Sequence, residues 1–229
     1  MVLPFSFNCN HNRPRRSLSA GRGRRIAPSH LAMILHQNNT PARVAVGITG
    51  ASGVVYGVRL LQALRALGVE THLAMSRAAE VTLAHETDLK VADVRAMASF
   101  AYGINDVAAP IASGSFRSLG MIVAPCTVRT MSEIATGVTS SLLTRAADVT
   151  LKERRPLVLM VRETPLHLGH LRTMTALAEM GAVVYPPVPA FYAAPASLEE
   201  MVDHTVGRAL DLLGLDSGLV RRWGEPTSA

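Results

Sequence analysis

Charged side chains surround a short apolar segment in the second half of the chain. Leu157–Val161 has the pattern of a buried strand, and charges stand on both sides of it: Lys152, Glu153, Arg154 and Arg155 before it, and Arg162 and Glu163 directly after it. Charge at the end of a buried strand costs free energy unless a partner compensates it. Since ligands of open α/β sheets bind at the carboxyl ends of the strands, the pattern predicts an anion there, and a phosphate before any other.

A glycine-rich turn follows the first strand-like segment. Residues 47–53 read Gly-Ile-Thr-Gly-Ala-Ser-Gly, between a β-branched run that ends at Ile48 and a helical pattern. Glycines let the backbone approach a phosphate, the helix N-terminus offers free N–H groups, and Ser52 adds a hydroxyl donor. A glycine turn at this place is also common for packing alone, but its position at a strand's carboxyl end favours ligand binding.

Two observations favour a mononucleotide over a dinucleotide. The short-chain reductases also begin with Thr-Gly after a strand, but their catalysis needs a Tyr-x-x-x-Lys pair, and no tyrosine of this chain has a lysine four residues on. The acid that binds a ribose hydroxyl at the end of the second strand is missing as well. That strand ends in Met75-Ser76-Arg77 instead.

Hydroxyl side chains stand where other predicted strands end. Thr127 and Thr130 lie in the first turn of a helix that follows the strand Met121 to Val123, where free N–H groups suit a phosphate or the edge of a cofactor ring. Ser76 precedes another helix, a place that an ordinary N-cap also explains. The loop Ala112-Ser113-Gly114-Ser115 is rich in hydroxyls, and by itself it indicates only a loop.

Two reactive residue types have ordinary explanations. Cys126 suggests a nucleophile, but no feature of the sequence supplies a base for it, and buried free cysteines are usually inert. His167 and His170 are three residues apart on one helix face, a spacing that metals can use. No third ligand stands at a recognisable spacing, so we expect polar contacts at the helix start and no metal.

Strand-like and helix-like segments alternate along the body of the chain. This alternation predicts a parallel sheet with helices on both faces. The expected strands are Val44–Ile48, Glu70–Met75, Gly120–Ala124, Leu157–Val161 and Ala182–Tyr185, and the expected helices run from the glycine turn to about Leu67, from near Ser76, over Val91–Ala98, from Pro125-Cys126-Thr127, over 141–152, His167–Met180 and Leu198–Leu213.

Composition limits the remaining functions. The net charge of the 229-residue chain is +6, and residues 1–42 contribute six arginines and no acid, so the body is about neutral. With 4% aromatic residues, no basic face and no apolar run of the roughly 20 residues that span a bilayer, we expect neither a nucleic-acid nor a membrane partner. Two cysteines fit a reducing compartment.

The first 42 residues differ from the rest. They are rich in Pro, Ser, Asn and Arg and show no helical or strand period, so we expect a disordered basic extension, followed by one domain over residues 43–229. The extension is typical either of a start codon chosen too far upstream or of an organellar transit peptide. The first alternative predicts a cytoplasmic protein and the second a mitochondrial one.

Taken together, the motifs resemble the UbiX-type flavin prenyltransferases, a family related to flavin-dependent cysteine decarboxylases. The resemblance covers Arg43 to Glu225 and rests on the glycine turn and on the following segments: Ser76-Arg-Ala-Ala, Ala112-Ser-Gly-Ser, Ala124-Pro-Cys-Thr, Arg145 to Pro156, Arg162-Glu-Thr-Pro-Leu-His and Pro189-Ala-Phe-Tyr. The decarboxylases would show a Pro-Ala-Ser-Ala-Asn-Thr-like segment where Ala124-Pro-Cys-Thr-Val-Arg-Thr stands, which favours the prenyltransferase branch. Thr127 replaces the serine common in that branch and keeps the hydroxyl.

The resemblance implies a Rossmann-like or flavodoxin-like three-layer sandwich and a specific reaction. In that family a dimethylallyl group passes from dimethylallyl monophosphate to N5 and C6 of reduced FMN. The product, prenylated FMN, serves a UbiD-type decarboxylase, often in ubiquinone synthesis. No metal is needed, and relatives form dodecamers with sites at subunit contacts. The alternatives are an FMN-binding decarboxylase and a non-catalytic FMN carrier.

The resemblance also assigns site residues. The implied FMN contacts are Gly50, Ala51, Ser52, Ser76, Thr127, Val128, Arg129, Thr130 and Arg162, with Ala112 and Ser113 near N5. The implied phosphate cluster is Arg145, Lys152, Glu163, Tyr192 and Arg208, and Glu86 and Trp223 line the region. Among these, Glu163, Lys152, Tyr192, Arg145 and Ser52 are the expected catalytic residues. The chemistry agrees, because cationic side chains stabilise a departing phosphate without a metal.

Overall fold

The computed structural model describes residues 41–224, so all but the last two residues of the predicted extension 1–42 lie outside it. The strands are β1 Arg43–Ile48, β2 Glu70–Met75, β3 Phe100–Tyr102, β4 Gly120–Cys126, β5 Leu157–Val161 and β6 Val183–Val184. The helices are α1 Val54–Ala66, α2 Arg77–Glu86, α3 Val91–Met97, α4 Val128–Ala135, α5 Leu142–Lys152, α6 Leu168–Glu179 and α7 Leu198–Asp211.

All six strands form one parallel sheet in the order β3-β2-β1-β4-β5-β6. The chain first builds outward from β1 to β3 and then returns to place β4 on the other side of β1. The strand order therefore reverses between β1 and β4, and a crevice forms outside the carboxyl ends of these two strands. Because parallel strands share one direction, all their carboxyl ends meet at one edge of the sheet, called here the carboxyl edge, and their amino ends at the opposite, amino edge.

Helices cover both faces of the sheet and bury a separate apolar core on each. One core joins β-strand side chains such as Val46 and Ile122 to α1 and α7. The other joins Met121 and Leu159 to α4, α5 and α6. Strands β1, β4 and β5 are buried almost throughout, which explains their continuous apolar runs in the sequence. The predicted three-layer α/β sandwich with a central parallel sheet is confirmed.

The predicted elements agree with the structure except near the sheet edges. The bounds of β2 and β5 are as predicted, and the helices differ by one to two residues. Two strand predictions need correction. β3 has only three residues at an open edge, too few to show an alternating pattern. β4 continues through Pro125 and Cys126, where Cys126 pairs with Val161 beyond a shift in register, so α4 begins only at Val128.

Candidate functional site

Thr49 joins the glycine turn to the end of β4. Its side-chain hydroxyl donates to the carbonyl oxygen of Pro125 (2.7 Å) and accepts from the backbone N–H of Thr127 (2.8 Å), and the residue is only 1% exposed. Gly50 follows and approaches α2 so closely that a Cβ atom there would lie 2.5 Å from the Cβ of Ala78. The turn is therefore fixed against both neighbouring loops, and only glycine fits at position 50.

Three helix N-termini surround the crevice beside this turn. Ser76, Thr127 and Ser141 cap α2, α4 and α5, each side chain accepting a hydrogen bond from the N–H three residues on. They enclose a cavity of about 460 Å³, a size typical of small-ligand sites. Its lining is Thr49, Gly50, Ser76, Arg77, Ala78, Ile104, Asn105, Thr127, Val128, Arg129, Thr130, Glu133, Ser140, Ser141 and Leu143. Helix N-termini attract anions, so the cavity suits the phosphate of a mononucleotide such as FMN.

Glu86 closes the other side of the turn. Its carboxylate accepts hydrogen bonds from the backbone N–H groups of Gly53 (2.9 Å) and Val54 (2.9 Å), at the start of α1. Burial acts to raise the pKa of Glu86, but hydrogen bonds from Ser52 and from these two N–H groups, together with the charge of Arg162, hold it below its ordinary value. Glu86, Ser52 and Arg162 thus lie together at the carboxyl edge.

Two half-buried tyrosines, Tyr56 and Tyr185, feel the charge of predicted site arginines. Burial raises the pKa of Tyr56, and the positive charge of Arg162 opposes that rise. Burial also raises the pKa of Tyr185, and the positive charge of Arg208 opposes that rise. The nearby Tyr192 and Tyr56 hydroxyls act to raise the same pKa. Arg162 therefore acts on Tyr56, whereas Arg208 and Tyr192 act on Tyr185.

The chain's C-terminal segment packs beside Tyr192. The rings of Tyr192 and Trp223 meet edge to face with their centroids 5.5 Å apart, and His204 contacts Tyr192 in the same way at 5.7 Å. Arg221 donates to the carbonyl oxygen of Ala193 (3.0 Å). Trp223 therefore lies beside Tyr192.

The remaining predicted residues lie along α5, away from the cavity. Residues 104–117 run along this helix toward the amino edge of the sheet. They begin at Ile104, whose carbonyl oxygen accepts from the backbone N–H of Leu142. On the way, Arg145 donates to the carbonyl oxygen of Ala112 (3.2 Å) and pairs with Asp148 (2.7 Å). Ala112 and Ser113 therefore contact the α5 side, and neither lines the cavity that holds Gly50 and Thr127.

Lys152 lies at the amino edge, at the end of α5. Its ammonium group pairs with Glu153 (2.5 Å), and both groups press against Gly114, where an added Cβ atom would lie 2.6 Å from the lysine nitrogen and 2.2 Å from the carboxylate. Arg155 holds the same loop by donating to the carbonyl oxygens of Gly114 (2.9 Å) and Phe116. These contacts give Arg155 a structural role.

The structure thus divides the predicted phosphate cluster. Glu163 follows β5 at the carboxyl edge, and Lys152 precedes the same strand at the amino edge. Five strand residues at about 3.3 Å each separate them by roughly 17 Å. The prediction that these two residues form one cluster does not hold within a single chain, because one residue precedes the strand and the other follows it.

Comparison with known proteins decides the family. The family model described as Flavoprotein matches residues 33–210. The flavin prenyltransferase UbiX of Escherichia coli K12 is 57% identical over 184 residues, which cover 79% of this chain and 97% of the relative. The chain belongs to the UbiX flavin prenyltransferase family.

Solved structures of UbiX relatives share the fold and the sequence. The crystal structure of AnUbiX (PadA1) in complex with FMN and dimethylallyl pyrophosphate is 51% identical, with a TM-score of 0.80 over 81% of this chain and 99% of that one. A dodecameric FMN-dependent UbiX-like decarboxylase from Escherichia coli O157:H7 is 49% identical, with a TM-score of 0.78 over 80% and 100% of the two chains.

Cys126 and His167 have the ordinary roles expected of them, whereas the buried Nδ1 of His170 has no hydrogen-bond partner among the residues that the structure describes. Cys126 is fully buried, and burial raises the pKa of its thiol to about 12, so the thiol stays protonated at neutral pH. His167 caps α6 by accepting from the N–H groups of Gly169 and His170, and its ring stacks on that of His170 at 3.6 Å.

Residues 41–224 hold no group of three or more metal-ligating side chains. Among the helices of this part of the chain, none has the length and apolar character to cross a bilayer.

Several residues of the UbiX-like site escaped prediction. Thr49 lies within the glycine motif, but only the structure shows its hydroxyl bridging two loops. Tyr56 and Tyr185 gave no signal, because a tyrosine on a helix or after a strand is usually part of the core. The first turns of α2 and α5 contribute Arg77 and Ser141 to the cavity, and the serine before an apolar helix was the available signal.

Proposed function

We propose that this protein is a flavin prenyltransferase that joins a dimethylallyl group from dimethylallyl monophosphate to N5 and C6 of reduced FMN. One observation carries the proposal: three capped helix N-termini and the glycine turn meet around one cavity at the reversal of strand order, within a chain of the UbiX family. Two UbiX relatives are described as binding or depending on FMN, and one of them is in complex with dimethylallyl pyrophosphate, the diphosphate of the same allyl group.

The cavity fits FMN by the chemistry of its donors. Backbone N–H groups near Ser76 and Thr127 would hold the phosphate, and the Gly50 turn, where no Cβ atom fits, would lie against the flat ring. When bound in its reduced form, the flavin supplies the nucleophilic atoms of the reaction. Arg162, beside Glu86 and Tyr56, would hold a polar edge of the ring system.

The donor phosphate would be held by the groups gathered around Tyr185. Arg208 and Arg162 supply positive charge without a metal, and Tyr192 supplies a hydroxyl donor. Glu163 would hold the remaining proton of the phosphate, or accept a proton during ring closure. The rings of Tyr192 and Trp223 offer an apolar wall that keeps water from the reactive allyl group.

Arg145 and Lys152 would reach this site from a neighbouring copy of the chain. Lys152 lies at the amino-edge end of α5, and Arg145 is engaged by Ala112 and Asp148, so one chain holds only part of the predicted cluster. A relative described as dodecameric supports an oligomer, and we propose that the α5 end of one subunit completes the cavity of the next. We therefore propose an oligomer, dodecameric like that relative, with composite sites.

The product would leave for another enzyme. Prenylated FMN has no further use in the proposed reaction, and we propose a UbiD-type decarboxylase as its acceptor. Neither a nucleic acid nor a membrane enters the proposal.

Anaerobic incubation with reduced FMN and dimethylallyl monophosphate tests the proposal. We expect the flavin mass to increase by one C5 unit, with release of phosphate. Unchanged FMN that stays bound would contradict the proposal and point to an FMN carrier or a flavin-dependent decarboxylase. Glu163→Gln should still bind FMN and form no adduct, and a variant with the wild-type rate would remove Glu163 from the mechanism.

A further inference from the structure

Asp211 stands between two arginines at the end of α7. One carboxylate oxygen accepts from Arg208 (2.7 Å) and from Arg222 (2.9 Å), and the other accepts a second hydrogen bond from Arg222 (2.9 Å). The Asp211 side chain is only 15% exposed. Burial acts to raise the pKa of Asp211, but the guanidinium groups of Arg222 and Arg208 hold that pKa below its ordinary value. Asp211 therefore stays ionised and fixes both arginines.

The contact with Arg222 ties down the C-terminal segment. Arg222 is followed by Trp223, whose ring packs against Tyr192. Arg221, on its other side, donates to Ala193 in the turn that carries Tyr192. The Asp211 carboxylate thus contacts Arg208 directly. It also acts on Tyr192 through the C-terminal segment, although Arg208 and Tyr192 are 16 positions apart in the chain.

We propose that Asp211 is a positioning residue that orients Arg208 for phosphate and holds the C-terminal segment against Tyr192. The inference rests on the proposed function, in which Arg208 and Tyr192 contact the donor phosphate. It adds a residue that touches neither the flavin nor the donor and acts through the groups that do.

Charge alone leads to the opposite expectation. If Asp211 merely neutralised the two arginines, its removal would leave a more positive site, and phosphate would bind more tightly. If it positions Arg208, its removal costs a charge-assisted hydrogen bond and the fixed geometry of the guanidinium group, and phosphate binds more weakly. The sign of the change in phosphate affinity therefore separates the two roles.

The test uses Asp211→Asn in the full-length protein saturated with FMN, which fills the cavity that itself suits a phosphate, and inorganic phosphate is the probe. Phosphate affinity is measured by calorimetry, and the anisotropy of Trp223, the only tryptophan of the chain, reports the C-terminal segment. Asp211→Glu is the conservative variant, and Arg222→Gln releases the segment while it leaves the pair of Arg208 and Asp211. Asp216→Asn is the matched control, because Asp216 is 77% exposed and makes a single 3.4 Å contact with Arg222.

We expect Asp211→Asn to weaken phosphate binding roughly tenfold, the size of a lost charge-assisted hydrogen bond. The KM for dimethylallyl monophosphate should rise in parallel, Trp223 anisotropy should fall, and FMN affinity should stay within about twofold, since the cavity lies elsewhere. Arg222→Gln should lower the anisotropy with a smaller loss of phosphate binding, and Asp211→Glu should restore part of both.

Unchanged or tighter phosphate binding in Asp211→Asn, or unchanged Trp223 anisotropy, would overturn the inference. So would an Asp216→Asn variant with the same defects. The binding and anisotropy measurements need no turnover. A wild-type protein that fails to prenylate FMN would therefore refute the proposed function without deciding the role of Asp211.

Discussion

The two edges of the sheet carry different halves of the predicted site. At the carboxyl edge, the cavity is formed by backbone turns and helix caps that the strand ends hold in place, and its ligand groups are largely N–H donors and half-buried tyrosines. At the amino edge, Lys152 pairs with the acid of the next residue and its side chain is 46% exposed, and Arg145, nearer the start of α5, pairs with Asp148 of its own helix. The first half is a pocket within one chain, whereas the second is a surface that needs a partner.

This difference shows how the fold distributes the chemistry. The flavin half depends on the sheet, so its variants should change flavin affinity and stability. The cation half depends on α5 and the loop 112–116, so its variants should change turnover and leave flavin binding intact. Each prediction below tests that separation.

Replacing the lysine at the amino edge should have the largest effect. Lys152→Met removes a cation that stabilises the departing phosphate, and we expect prenyl transfer to fall about a hundredfold or more. FMN affinity should stay at the wild-type value by fluorescence titration. Arg154→Gln, an exposed neighbour at the same edge, is the matched control and should retain activity. An equal loss of flavin binding and turnover in Lys152→Met would contradict the separation.

Crowding the lysine should have a smaller effect of the same kind. In Gly114→Ala the new methyl group would displace the ends of the Lys152 and Glu153 side chains, which can move without disturbing the core. We expect kcat to fall roughly tenfold, as for a misplaced charge, with little change in melting temperature. Gly103→Ala is the control, since the nearest atom to its added Cβ would lie 3.9 Å away. Equal activity of the two alanine variants would argue against a role for the position of Lys152.

The bridge between the two loops at the carboxyl edge should affect flavin binding instead. Thr49→Val leaves the N–H of Thr127 without its partner, while the carbonyl of Pro125 keeps only the hydrogen bond from the backbone N–H of Thr49 (3.2 Å), which should lower the free energy of unfolding by about 1–3 kcal/mol. FMN affinity should fall severalfold, as measured by titration, and the variant saturated with FMN should keep most of its kcat. Thr136→Val, exposed and bonded only within its own helix, should match the wild type. Wild-type FMN affinity in Thr49→Val would contradict this assignment.

The carboxylate at the glycine turn should give a small effect that depends on pH. The pKa of Glu86 is lower in the folded chain than its ordinary value of 4.5, so its stabilising contribution is present above that value and is lost as the pH falls through the folded pKa. We therefore expect Glu86→Gln to melt slightly below the wild type at pH 7, with the difference vanishing as the pH falls below the folded pKa of Glu86. Thermal melts of both proteins over this range measure it. A difference that grows on acidification would have the wrong sign.

Much of the fold and of the flavin half could be predicted from the sequence, because their signals are local. The motifs are apolar strand runs, the glycine turn and the serine or threonine before each helix. Each determines the structure of only the few residues around it. Gly50, Ser76 and the segment from Thr127 to Thr130 therefore lie where the motifs indicated.

The phosphate half could not be assembled in the same way. Lys152 and Glu163 stand close in the sequence, but a parallel strand of five residues carries them to opposite edges. The groups around Tyr185 come from three separate parts of the chain, and their meeting depends on tertiary packing that no spacing rule encodes.

Mixed oligomers test most directly whether the two edges of different copies form one site. Lys152→Met and Glu163→Gln chains, each inactive alone, would be unfolded together and reassembled, or coexpressed. If Lys152 of one copy serves Glu163 of another, random mixing of equal amounts should restore about a quarter of the sites and of the wild-type activity. Activity in the mixture no higher than in either variant alone would contradict the composite site.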